Sequence, residues 1–290
     1  KQTNYYKNQF IDVLKFSDDN FPDNLEIVNL GSNQPKYAFD YSETGVQGMN
    51  WAIGPQSFEY DLRVLMKYHW HLRDQAIVVI PVCPFNFFLL RYFNDSANYK
   101  YYKLLQPEQI NNYSSLTKLL HIDYPVLTAK CNILRIIRDV PADKRMEIKT
   151  NSMSENELIK DAEKWITGWL KQFQLDGLSD ILLSEENRNN IEKNVEILRE
   201  MIDFCLKNNY RPVITMLPVT KTLSDLFPES FIEKYILGNI QKANIKKIPI
   251  FNYLKDERFF STDLYINSFF FNENGRKYFT NTFLGEISVY

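Results

Sequence analysis

Histidine is scarce in this chain: its 290 residues hold three, His69, His71 and His121. Any acid–base scheme must draw on these or on a carboxylate. His69 and His71 stand two positions apart with no third ligand near in sequence, so no metal site is expected. Cys83, Cys131 and Cys205 form no CxxC pair, which argues against a zinc ribbon, a thioredoxin motif and a disulfide scaffold. No apolar run reaches the ~18 residues of a membrane-spanning helix. Charge of one sign is also lacking: 34 Lys plus Arg against 36 Asp plus Glu leave a net charge of −2. No nucleic-acid partner is therefore expected through a basic surface. There is no GxGxxG, Walker A or GxSxG motif, so no cofactor is expected, and nucleotide-dependent and ordinary α/β-hydrolase chemistry are disfavoured.

A 44% hydrophobic content is enough to bury a sizeable core. Residues 25–30 read as a strand that stops at Gly31-Ser32-Asn33. A second short strand is expected near 47–52. Phe58, Leu62, Leu65 and Met66 suit a helix, and Ala76–Val82 is a continuous β-branched run, the mark of a strand buried on both faces. After residue 185 the rhythm resumes: a helix lined by Ile191, Val195, Leu198, Ile202 and Cys205, a strand at 212–217, a helix at 228–243, a weaker strand at 248–252 and a last helix from about Asn272. This alternation predicts an α/β chain with a parallel sheet.

Residues 87–185 break the pattern and read as a helical insertion or cap within a single domain spanning 1–290. Ser154–Glu157 is a capping box, followed by Leu158, Ala162, Trp165, Ile166, Trp169, Leu170 and Phe173 at helical spacing. Trp165 and Trp169 read first as core. Tyr92, Phe93 and Tyr99-Lys100-Tyr101-Tyr102 either pack the cap onto the sheet or offer flat faces to a sugar.

Four of the nine glycines, Gly31, Gly45, Gly48 and Gly54, fall between residues 31 and 54, where the first two strands end. Glycine allows close backbone approach, and sites in open α/β sheets form at carboxyl ends of strands. Ser32 there is either a turn or helix cap or a nucleophile whose own N–H faces an oxyanion.

Leu30-Gly31-Ser32-Asn33, Asn50-Trp51-Ala52-Ile53-Gly54-Pro55-Gln56-Ser57, the strand running into Cys83-Pro84-Phe85-Asn86, and Phe271–Thr280 together resemble the SGNH/GDSL hydrolase superfamily. The resemblance is nearest the membrane-anchored, DltD-like branch with its cell-surface polysaccharide O-acyltransfer domains. It implies a three-layer α/β/α, flavodoxin-like fold of about five parallel strands. It implies acyl-ester hydrolysis or O-acyl transfer through Ser32, with an oxyanion hole from Ser32, Ala52 and Asn86. A structural role in the turn is an equal reading for Asn86. A carbohydrate or acyl-ester ligand and an extracytoplasmic location, at the cell surface or in the periplasm, follow from the same resemblance. The chain opens at Lys1 without methionine, so a leader or membrane anchor ahead of it is expected.

The last block departs from the family. Aligning on Asn272 and Gly275 puts Phe270 at the histidine position and Asn267 at the aspartate position. Phenylalanine cannot accept the serine proton, and asparagine cannot stabilise an imidazolium as a carboxylate does. Losing the base costs a serine hydrolase about 10⁶ in kcat. His121, inside the insertion, is a weak alternative base. The two readings are an acyl-transfer enzyme using Ser32 and a non-catalytic relative that binds carbohydrate or assembles with a polysaccharide-biosynthesis partner.

Overall fold

Strands separated by helix-patterned segments cannot pair as hairpins, so the apolar runs must align in parallel through crossovers. The computed structural model describes residues 10–16, 21–90, 95–124 and 153–288. It holds β1 Leu25–Asn29, β2 Gly48–Asn50, β3 Leu72–Pro81, β4 Arg211–Met216 and β5 Ile250–Asn252. Their order is β2-β1-β3-β4-β5, every pair parallel. This is the flavodoxin-like order, and the chain reverses its direction of travel between β1 and β3.

Side chains alternate across the sheet. Ile27, Val79, Val213 and Phe251 face one way; Val28, Val78, Ile80 and Ile214 face the other. The longer helices are α1 Phe58–Tyr68, α2 Glu155–Phe173, α3 Glu185–Lys207 and α4 Glu273–Ile287. Phe279, Phe283 and Ile287 of α4 pack with Ala38 and Phe39 on the first face. α1, α3 and the helical stretch 229–243 cover the second. Two layers of helices thus enclose the sheet, as the alternation of patterns predicts. β3 begins four residues before its apolar run. Its register against β1 shifts between Leu25 and Ile27, where Gln75 takes a φ of 57°, so Arg73-Asp74-Gln75 bulge outward.

Among the described residues, the 87–185 stretch adds no strand to the sheet; residues 125–152 lie outside them. It runs through short turns of 3₁₀ and π helix into α2, whose start is fixed as its sequence dictates. Glu157 Oε2 accepts from the Ser154 N–H at 2.9 Å and from its hydroxyl at 2.7 Å.

The polar stripe of α3 holds this stretch. Asn187 Nδ2 donates to the Phe173 carbonyl (2.8 Å), Asn190 Nδ2 to that of Phe88 (3.3 Å) and Asn194 Nδ2 to that of Phe87 (2.8 Å). The spacing i, i+3, i+7 puts all three on one helix face. Asn194 is fully buried. Asn194→Ala leaves the Phe87 carbonyl buried without its donor, and urea unfolding of the variant should show a loss of about 1–3 kcal/mol.

Candidate functional site

β1 ends at Asn29 and its chain turns at Gly31, which takes a φ of +112°. A Cβ there would sit 2.5 Å from Pro35 Cγ, so the turn requires glycine. Ser32 follows, just past the carboxyl end of the strand, ahead of the short helix Asn33–Lys36. Its side chain does not cap that helix. Instead Ser32 Oγ accepts the Gln56 N–H at 3.0 Å, joining the loops after β1 and β2. Ser32, Pro55 and Gln56, and Cys83–Asn86 after β3 line one cleft of about 210 Å³. The cleft lies at the switch point between β1 and β3, where open α/β sheets bind ligands.

Of the three residues that the resemblance implies for an oxyanion hole, Ser32 and Asn86 line the cleft and Ala52 does not. Asn86 lines the cleft, and its Oδ1 accepts the Cys83 N–H, fixing the turn after β3. The structural reading of Asn86 therefore holds for its oxygen, while its Nδ2 remains as a donor on the cleft wall. Ala52 corrects the expectation. Its N–H donates to Asn50 Oδ1 at 3.0 Å, and the residue is fully buried away from the cleft. Asn50 is the reason: Oδ1 also accepts from Asn29 Nδ2 at 2.9 Å, while Nδ2 faces the carbonyls of Pro35, Lys36 and Phe39. This side chain knots the loops together and occupies the amide that the family pattern offers to substrate.

At the family's histidine position, the Phe270 ring forms part of the cleft wall, 5.0 Å from the Tyr37 ring and 5.5 Å from the Trp165 ring. Asn267 does not line the cleft. Its Oδ1 accepts from the N–H groups of Phe269 (3.0 Å) and Phe270 (2.8 Å), a local turn cap. His121 is not brought to Ser32; its ring stacks on Tyr99 at 4.6 Å, outside the cleft. His69 pairs with the Tyr210 hydroxyl and His71 with Asp23. Among the described residues lining the cleft, the only ionisable side chain is Cys83, and burial pushes its thiol far above the ordinary range.

The cap supplies the opposite wall. Trp165 and Trp169 of α2 pack with Phe269 and Phe85 and also line the cleft, so the core packing continues into the cleft wall. Tyr101 is buried, stacked on Tyr60 at 3.7 Å, and its hydroxyl donates to Gln56 Oε1 at 3.0 Å. Tyr101 thus packs and braces the site and offers no face to a sugar. Tyr92 and Phe93 lie outside the described residues.

Charge is concentrated behind the cleft. Asp61 sits among the buried residues of α1, and its Oδ1 accepts the Gly31 N–H at 2.7 Å and Gln56 Nε2 at 2.6 Å. Burial raises its carboxyl from 3.8 to about 7, against these two hydrogen bonds and nearby Lys100. Lys100 donates to the Pro55 carbonyl, and Lys15 to those of Asn50 (2.6 Å) and Ala52 (2.8 Å). Burial lowers both ammonium groups to about 7. Neither Gln56 nor Asp61 was singled out by the sequence motifs. The available signal was an acid falling on the Phe58, Leu62, Leu65 stripe of α1.

The chain matches no known family model and no curated protein.

Asp61 has a pH signature. Its folded value of about 7 exceeds the ordinary 3.8, so its contribution to stability is complete below 3.8 and is lost as pH rises to about 7. The two lysines change stability only between about 7 and 10.5, so they leave this window clear. In Asp61→Asn the side-chain oxygen still accepts both donors but no longer ionises. Thermal melts from pH 4 to 8 should show the variant gaining on the parent through this window and exceeding it above pH 7.

Proposed function

We propose that the chain is an SGNH-like domain of a cell-surface polysaccharide system that binds a carbohydrate or its acyl ester without Ser-His-Asp turnover. The observation that carries this reading is the lining of the switch-point cleft. Ser32 and Asn86 stand at the strand ends, aromatic rings and carboxamides surround them, and Phe270 fills the wall where a base would act. A serine hydroxyl is a weak nucleophile unless a base removes its proton during attack. Here the Ser32 oxygen receives the Gln56 N–H, which draws electron density from it further. Trp and Phe faces suit the apolar side of a sugar ring, and carboxamides both donate and accept as hydroxyl groups require.

The same resemblance supports a location outside the cytoplasm, at the cell surface or in the periplasm, and assembly with a polysaccharide-biosynthesis partner as the alternative to carbohydrate binding. Among the described residues no helix is long and apolar enough to cross a membrane.

The test is a p-nitrophenyl acetate series and a fluorophosphonate probe, applied to the protein and to Ser32→Ala. Equal background turnover and no Ser32-dependent labelling are expected. Turnover on the order of 10 s⁻¹ that depends on Ser32 would instead assign an acyl-transfer enzyme. A well-placed general base contributes about 10²–10⁴-fold. Asn267→Asp with Phe270→His should therefore lift Ser32-dependent hydrolysis above the background.

A further inference from the structure

Gln34, second residue of the short helix after Ser32, lines the cleft and is 4% exposed. Its Nε2 donates to the Pro218 carbonyl at 3.3 Å. A carbonyl only accepts, so the amide nitrogen must face Pro218 and the oxygen must face away. That oxygen, Oε1, is buried with no hydrogen-bond partner. Buried acceptors are normally paired, and this unpaired one belongs to a side chain that lines the cleft.

A second cavity, of about 180 Å³, adjoins the first and shares Leu89, Gln172 and Phe173 with it. Each cavity alone falls below the ~300 Å³ at which small-molecule sites begin. The shared residues make the two cavities neighbours, one at the switch point and the other at the start of α3. The latter is lined by Phe88, Gln174, Asn187 and Asn190, with Glu186 as its one charged side chain among the described residues. Asn187 and Asn190 commit their nitrogens to backbone carbonyls, which leaves their oxygens to accept from a ligand.

We propose that the two cavities form one groove for an uncharged oligosaccharide, with Gln34 Oε1 accepting a ligand hydroxyl at the inner end and Gln172 contacting the chain at the seam. This rests on the carbohydrate reading of the cleft. Carboxamides along both cavities supply the paired donors and acceptors that successive sugar units present. An anionic chain would bring charges into a groove whose lining offers no cation to pair with them.

The probe is a surface-immobilised series of neutral hexose and N-acetylhexosamine chains of about one to six units, with uronate chains of the same lengths as the charged arm. Affinity should rise at least about tenfold from one unit to several, and neutral chains should bind more tightly than charged ones. Gln172→Ala, on an exposed position of α2, should remove the gain with length while leaving the melting temperature unchanged. Gln34→Leu should weaken binding about tenfold at every length. Equal affinity at all lengths, with Gln172→Ala silent, would overturn the groove and leave the single-cleft carbohydrate reading standing. Preference for the uronate chains would overturn the uncharged ligand. No binding by any chain would overturn both the groove and the reading on which it rests.

Discussion

The carboxylate of Asp61, enclosed on the buried face of α1, sets the geometry of everything around Ser32. A buried carboxyl is tolerated only with hydrogen bonds, and its two described donors come from loops: the Gly31 N–H and Gln56 Nε2. The turn after β1 and the loop after β2 are thereby bound to one helix. Gln56 passes the constraint on, its N–H reaching the Ser32 oxygen and its Oε1 receiving the Tyr101 hydroxyl. Strand end, loop, helix and cap share one hydrogen-bonded chain, in which each bond polarises the next.

This arrangement separates charge from ligand. Asp61, Lys15 and Lys100 stand behind the loops, bonded to amides and carbonyls, while the cleft in front presents rings and carboxamides. A molecule entering the cleft would meet many groups able to hold it. Among the described lining residues it meets none with the basicity to draw a proton from serine at neutral pH. Phe270 completes the cleft wall with its ring 5.0 Å from that of Tyr37 and 5.5 Å from that of Trp165.

The layered sheet was legible because its signals are local. The cores of β1, β3 and β4 carry β-branched runs, and α3 shows its apolar face by 3.6-residue periodicity alone. The glycine cluster marked the strand ends where the cleft lies, through the demand for close approach at Gly31. What was missed at Ala52 and Gln56 rests on long-range polar contacts. Whether the Ala52 amide is free depends on where the Asn50 side chain points. The role of Gln56 rests on a backbone contact with a residue 24 positions away. The bulge at Arg73–Gln75 escaped notice because polar residues in a strand carry no periodicity of their own. Trp165 and Trp169 read as core from their spacing, and spacing cannot tell that a cleft borders the core there.

The asparagine stripe of α3 grips main-chain carbonyls and ignores the side chains of Phe87, Phe88 and Phe173. The hydrogen-bonded part of the attachment is thus indifferent to which side chains these segments carry, while the three rings add core packing of their own. Substitutions along the cleft-facing wall can alter shape and chemistry while the fastening stays the same. In a scaffold fastened in this way one wall of the cleft can drift while these three hydrogen bonds, the sheet and the strand-end loops stay as they are.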